Sequence, residues 1–156
     1  MSPYHLLRTD REIVDPEEIR NILRNGKYAT IAMAKDNEPY LVTLSYGYDE
    51  SNDCLYFHCA FEGQKIEFIQ HNPKACATII VDGGYVKDQC EHVYSSLIIK
   101  GVMKIVDRLE EKKHGLEILL RHLEDNPDPI RDRHIKEDGS YDKVNILCLQ
   151  IEEISG

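Results

Sequence analysis

The chain has 156 residues, 19 Lys+Arg against 28 Asp+Glu, and a formal net charge of −9. With a pI near 5.2 it lacks the positive field that drives association with nucleic acid or anionic membranes, so neither is expected as a partner. A composition of 42% hydrophobic and 30% charged residues is that of a chain that buries a core, and the length fits one domain over residues 1–156. No apolar run approaches the roughly 20 residues that span a bilayer, and the acidic start offers no signal-peptide pattern. A soluble, cytoplasmic protein is the expectation.

Asp15-Pro16-Glu17-Glu18 reads as a helix start: a capping carboxylate, proline at the first helical position and acids in the first turn. Ile19, Ile22 and Leu23 supply its apolar face and Gly26 its end. The period then changes from 3.6 to 2. A strand is expected over Lys27 to Ala34, a turn at Lys35-Asp36-Asn37, and a second strand from Glu38 to Tyr48. One face of that second strand carries Tyr40, Val42, Leu44, Tyr46 and Tyr48. The other carries Leu41, Thr43, Ser45 and Gly47, small and partly polar, a face suited to lining a polar ligand.

A third strand, Cys54 to Ala60, follows a turn at Asp49 to Asp53 and sets Tyr56, His58 and Ala60 opposite Leu55, Phe57 and Cys59. Gly63 to His71 reads as a short helix stopped by Asn72-Pro73. Lys74 to Val81 has the near-continuous apolar run of a buried strand, and Asp82 to Glu91, with Gly83-Gly84, reads as a loop. Tyr94 to Val106 is a long strand in which Gly101 marks a bend or bulge. Leu109 to Leu123 carries a helical stripe, Glu124 to Asp142 is a long acidic connection, and Val144 to Ile151 is a closing strand. Six strands with helices at intervals predict an α+β, mainly β fold: an antiparallel barrel or curved sheet.

Five cysteines, odd in number, without a C-x-x-C and mostly among apolar neighbours, read as reduced, buried thiols rather than a disulfide framework or a zinc site. The histidines lack carboxylate or cysteine partners at ligand spacing, so no metal site is expected. The sharpest local feature is electrostatic. From Asp36 to Asn72 there is one lysine or arginine, Lys65, among seven carboxylates. It lies in the first turn of the helix that follows Gly63, where backbone N–H groups and the helix dipole favour an anion. A phosphate site is one reading; a solvated pair with Glu62 or Glu67 is the other.

An ordered set of segments carries a family resemblance: Arg11-Glu12-Ile13, Tyr28 to Met33, Glu38-Pro39-Tyr40, Leu55-Tyr56-Phe57-His58-Cys59-Ala60, Glu62-Gly63-Gln64-Lys65, Asn72-Pro73, and Tyr94-Ser95-Ser96-Leu97 to Gly101. Over residues 8 to 154 this resembles the FMN-binding split-barrel proteins related to pyridoxamine 5'-phosphate oxidase, and within them the nitroimidazole-resistance branch. The resemblance implies a homodimeric antiparallel split β-barrel with flanking helices and one flavin mononucleotide (FMN) in each cleft at the subunit interface.

Carried over residue by residue, it places Leu41, Val42, Thr43, Leu44 and Ser45 along the isoalloxazine and ribityl chain, and His58, Cys59 and Ala60 beside the cofactor. Gly63, Gln64 and Lys65 then meet the phosphate, and Ser96 meets the ring edge. The implied activity is hydride transfer at flavin N5 to a small (hetero)aromatic, nitro or quinone-like compound. The alternatives are a flavin sensor or reservoir without turnover, or a related barrel that takes haem or deazaflavin. His58 is the candidate catalytic residue, as a proton donor, against a plain hydrogen-bonding role in the cleft; no catalytic acid or base is otherwise assigned. Two departures weigh against vitamin B6 oxidation. Leu41 stands where relatives have a phosphate-supporting arginine, and Leu149-Gln150-Ile151-Glu152-Glu153-Ile154-Ser155-Gly156 stands where they have a basic segment.

Overall fold

The computed structural model describes residues 6–156. His5 and the first residues of the acidic start lie outside the described residues. Helix α1 (Pro16–Asn25) begins as the sequence predicts: the Asp15 carboxylate accepts from the Glu17 N–H at 2.9 Å, and Pro16 leads the first turn. It ends against Gly26, whose N–H reaches the Ile22 carbonyl. Gly26 is extended, with φ −65°, so its missing side chain serves space: a Cβ there would strike the hydroxyl of Tyr46. That hydroxyl donates to the Leu23 carbonyl at 2.7 Å and ties α1 to the barrel.

Six antiparallel strands close into a barrel in the order β1-β2-β3-β6-β5-β4, with β1 paired to β4. They are β1 (Tyr28–Lys35), β2 (Glu38–Asp49), β3 (Cys54–Cys59), β4 (Lys74–Val86), β5 (Glu91–Val106) and β6 (Asn145–Ser155). Asp36 and Asn37, both at positive φ (50° and 65°), make the two-residue turn that fixes the β1–β2 register. Period-2 alternation sends Ile31, Tyr46, Phe57, Ile79, Leu97 and Leu149 into one core inside the barrel. Helix α2 (Gln64–His71) adds Ile66, Phe68 and Ile69 to that core.

A second cluster sits outside the barrel, under helix α3 (Leu109–Leu123), where Leu119 covers Tyr56, Cys54, Cys148 and Ile146. Two glycines allow that contact. A Cβ on Gly47 would lie 2.7 Å from Leu119 Cα, and one on Gly115 would lie 2.7 Å from the Tyr56 ring. The other outer faces, on β1, β2, β4 and β5, expose Tyr28, Leu41 and Ile80 at 61%, 64% and 55%.

Gly101 is the expected bulge: the β5–β6 register slips between Lys100 and Gly101, where a Cβ would meet the Gln150 carbonyl. Four expectations are corrected. Asp82 to Glu91 is not a loop but the far end of the β4–β5 hairpin, which extends to Val86 and Glu91 with a register shift between Asp82 and Tyr85. Exposed strands pair whatever their polarity, so the glycines misled. The acidic connection holds helix α4 (Asp128–His134) and a 3₁₀ segment (Asp138–Lys143). The closing strand runs on to Ser155. All five thiols are free, but only Cys54 and Cys148 are buried; Cys59 is half-buried, and Cys76 and Cys90 are exposed. Cys76 sits on the outward face of β4, so its apolar sequence neighbours face away from it. Among the described residues no helix is long and apolar enough to cross a membrane.

Candidate functional site

The outward residues of β2, Leu41, Thr43 and Ser45, are all exposed, as the two-faced strand predicts. Val42 and Leu44 point the other way and pack on the barrel core, so they offer a ligand on this face only backbone. Thr43 is linked to Thr30 of β1, Oγ1 to Oγ1, at 3.0 Å. His58 is exposed on the outer face of β3, and Cys59 turns inward and half-buries.

Beyond the strand, Asn145, the buried first residue of β6, donates to the Ala60 carbonyl at 3.0 Å and to Cys59 Sγ at 3.6 Å. Asn145 thereby fixes the exit of β3 that aims His58. Sequence reasoning missed it; its polar side chain at the head of an apolar strand was the available signal.

The chain then enters α2 through Gly63, at φ 129° and ψ 176°, a region open in practice to glycine alone. A Cβ on Gly63 would meet nothing within 4 Å, so backbone conformation, not space, demands the glycine. No side chain caps α2, which leaves its leading N–H groups free for an outside acceptor. Lys65 is half-buried in this first turn. Glu67 pairs with Lys35 instead, and Lys65 makes no ion pair among the described residues. Burial pushes the Cys59 thiol up, and the nearby Lys65 ammonium pulls it partly back, which puts the lysine's charge at the end of β3.

Ser45, Thr43 and His58 open onto a cleft of about 610 Å³ whose far side is α3 and α4. Leu116, Leu120 and Leu123 of α3, with Ile130 and Ile135 around α4, make that wall aliphatic, and His134 adds a polar tip. The stripe on α3 serves both sides: Leu119 and Leu116 pack on the cluster under the helix and also line the cleft, and Leu120 and Leu123 line the cleft. The contribution of α4 went unread because its apolar residues are isolated among charges. Gly63 and Gln64 line a different groove, about 730 Å³, shared with Lys35, Glu38 and Glu67. It is the larger of the two, but it is open and rimmed by carboxylates, and the cleft beside His58 has the apolar walls that bind small molecules.

Ser96 does not join either group. It lies opposite Ile80 on β5, and β1 and β4 separate it from β2 in the barrel. At about 4.8 Å per strand, that is roughly 14 Å from the β2 face.

Helix α3 is pinned over the site by two histidines. His114 Nε2 is 2.5 Å from the buried carboxylate of Asp49, which also accepts from the side chain of Asn52. Burial alone raises the Asp49 carboxyl, but these hydrogen bonds outweigh it and hold it below the usual range. His122 accepts the Tyr48 N–H at Nδ1 (3.3 Å) and therefore donates from Nε2 to the Gly26 carbonyl (2.5 Å). Burial lowers its pKa below the ordinary histidine value. Both contacts hold a structural element, and neither histidine is among the residues lining the cleft. No group of three or more His, Cys, Asp or Glu among the described residues could hold a metal ion.

The family described as pyridoxamine 5'-phosphate oxidase matches residues 15–156. The chain belongs to that family. A protein from Bacteroides thetaiotaomicron named for 5-nitroimidazole antibiotic resistance is 25% identical, with 92% of this chain and 84% of that one covered and a TM-score of 0.78. A FAD-binding protein from Mesorhizobium loti shares the fold at 22% identity, covering 93% and 94% of the two chains with a TM-score of 0.68. An uncharacterized protein of Rhizobium meliloti is 31% identical over 67 residues, which is 43% of this chain and 42% of its own length. The match thus spans under half of that curated relative. Both the family and the barrel expected from the sequence are borne out.

Proposed function

We propose that this family member is a flavin-binding protein, with FMN the expected cofactor, and an oxidoreductase acting on a small (hetero)aromatic, nitro or quinone-like compound. The observation that carries the reading is the start of α2: a glycine-only turn, an uncapped helix N-terminus, and a half-buried lysine with no ion pair among the described residues. These suit a phosphate, which needs a cation and free N–H donors on one side. The residues therefore fit a flavin nucleotide. Lys65 and the N–H groups of Gln64 and Lys65 would hold its phosphate, while Thr43 and Ser45 would take the ribityl and ring edge.

A bound flavin supplies hydride transfer at N5; the chain supplies orientation and polarity. Aliphatic side chains of α3 exclude water from the cleft, and His58 is placed to hold or deliver a proton at its edge. The absence of an arginine at Leu41, together with the exposed Glu152 and Glu153 near the end of β6, leads us to exclude vitamin B6 oxidation from the proposal.

The same reading calls for a homodimer. Ser96 reaches a ligand on β2 only from a second copy, since about three strand spacings part them within one barrel. The outer face of β1, β2, β4 and β5, which exposes Tyr28, Leu41 and Ile80, is suited to such pairing. A cytoplasmic location completes the proposal.

The test is to release and weigh whatever chromophore copurifies, then titrate stripped protein with FMN and with FAD by visible absorption. We expect stoichiometric flavin uptake and reoxidation by nitro or quinone acceptors. A flavin that binds but never turns over supports the sensor reading, and a haem or deazaflavin spectrum moves the cofactor. Colourless protein that takes up neither flavin removes the basis of the proposal.

A further inference from the structure

We propose that the cleft beside His58 is a ligand pocket of its own, that α4 is its selecting wall, and that Arg131 is the positioning residue holding this wall. Its occupant is an aromatic body bearing one anionic or hydrogen-bond-accepting group. Its standing as the substrate pocket rests on the flavin reading above; its existence as a pocket does not.

Three observations lead there. The first is the lining. At about 610 Å³ the volume is in the range of small-molecule sites, and the walls are aliphatic apart from a few polar tips. Two of those tips, His58 on β3 and His134 on α4, lie apart from the β2 residues given to the flavin. Neither side chain is engaged with another described residue, so each remains free to donate to a ligand. Glu124 is the one carboxylate among the lining residues. Arg131 lines the cleft too, but its charge is already matched. Donors without a competing array of acids select a ligand that accepts.

The second observation is how α4 is held. Not one residue of this helix is buried, so apolar packing contributes little to its place. Its attachment is polar. Arg131 grips Glu117 of α3 with both arms, Nε to Oε2 at 2.9 Å and Nη2 to Oε1 at 2.6 Å, and turns its third nitrogen to Asp128 at 2.5 Å. A bidentate fork fixes direction as well as distance. Glu117 also receives Arg121 at 2.7 Å, and these hydrogen bonds hold its carboxyl below the ordinary range. Arg131 and Glu117 are each only 29% exposed, which sets them apart from the solvent-washed pairs elsewhere on the surface.

The third is what α4 stands to gain. Ile130 and Ile135 face the cleft half-buried. An occupant with an aromatic body would complete their burial, so the wall and the ligand stabilise each other. A helix with an apolar side, no buried residue and a directional polar latch is built to close on something.

The experiment uses 8-anilinonaphthalene-1-sulfonate, an aromatic body with a single anionic group, titrated by fluorescence into the full chain with and without saturating FMN. Arg131→Met removes the latch, Arg131→Lys keeps the charge but loses the fork, and Ile130→Ser thins the wall. Arg133→Met, an exposed arginine of the same helix, is the control. We expect dye affinity to fall about tenfold in Arg131→Met and Ile130→Ser, as loss of a charge-assisted contact or of half a side chain's burial implies. Arg131→Lys should fall between, and Arg133→Met should match the parent. Urea midpoints and FMN affinity should stay unchanged in all four, since α4 holds no core residue and Lys65 is elsewhere.

Equal dye binding across the set overturns the proposal, as does a loss of dye binding that tracks a loss of urea stability. Flavin uptake with no such pattern sinks the pocket alone; the pattern without any flavin uptake keeps the pocket and sinks the cofactor reading.

Discussion

Replacing Gly47 with alanine probes how closely α3 lies on the barrel. The added Cβ would sit 2.7 Å from Leu119 Cα, 2.8 Å from Leu119 N and 2.9 Å from Ile118 C. All three are helix backbone, which cannot turn aside as a side-chain tip can. An ordinary contact lies at about 3.5 Å or more, so α3 must back away by roughly 0.8 Å over a surface where Leu119 is 4% exposed. Overpacking of this kind costs about 1–3 kcal/mol, partly offset by about 0.4–1 kcal/mol from the stiffer unfolded chain.

The net expectation is a loss of about 1–2 kcal/mol, or a fall in Tm of roughly 2–8 °C for a chain of this size. Urea unfolding followed by circular dichroism measures it. Gly139→Ala is the matched control: its Cβ would meet only Glu137 Oε1, at 3.8 Å, and the change should be neutral or stabilising. A Gly47→Ala protein as stable as the parent would show that α3 stands off the barrel, and the close packing of Leu119 on it would lose its basis.

Lys65→Ala should weaken flavin binding by roughly tenfold or more, as expected for a lost charge-assisted contact, while leaving the urea midpoint near the parent's; an unchanged dissociation constant in a visible titration excludes the phosphate role. Gly63→Ala forces an L side chain into a glycine-only conformation at a cost of about 1–3 kcal/mol; because no clash accompanies it, a stability equal to the parent's would mean that the turn relaxes freely. The acid side of the stability curve should carry His122. Its folded pKa lies below the unfolded value of about 6.5, so the unfolded chain binds the extra proton and stability falls as pH drops below that value, by at most about 1.4 kcal/mol per pH unit. Urea midpoints between neutral pH and the carboxylate range should show the slope, and His122→Gln should flatten it; an unchanged slope assigns the acid loss to other groups. Asp49, depressed rather than raised, loses its contribution only at lower pH, as pH falls from its unfolded value through its folded one.

Most of the barrel could be read in the sequence because its signals are local. Alternation in β1, β2 and β3 declares which residues face inward, Asp36-Asn37 sets a turn whose geometry fixes register, and Asp15-Pro16 starts a helix by its own chemistry. The β4–β5 hairpin escaped because its end is exposed: Asp82, Tyr85 and Val86 pair with β5, and Gly83-Gly84 form the irregularity between them, which in sequence looks like a turn. Helix α4 escaped for the same reason, since Ile130 and Ile135 make sense only once α3 and His58 are beside them. Cys76 misled because a residue's neighbours in sequence lie on the opposite side of a strand.

The sequence by itself determined the acidic charge, the period of α1 and of β1 to β3, and Lys65 as the one Lys or Arg between Asp36 and Asn72. These are properties of composition and spacing that no packing can alter. Only the tertiary structure decided that Glu67 goes to Lys35 and leaves Lys65 unpaired among the described residues, and that Asn145 holds the exit of β3. It also decided that His58 and His134, 76 residues apart, meet at one cleft and that Ser96 stands away from it. Partner choice and convergence depend on how sheets close and helices dock, which are contacts between residues far apart in the chain. The net charge is a sum over the whole chain, and only the fold shows that Lys65 stands in the first turn of α2 without an ion pair among the described residues.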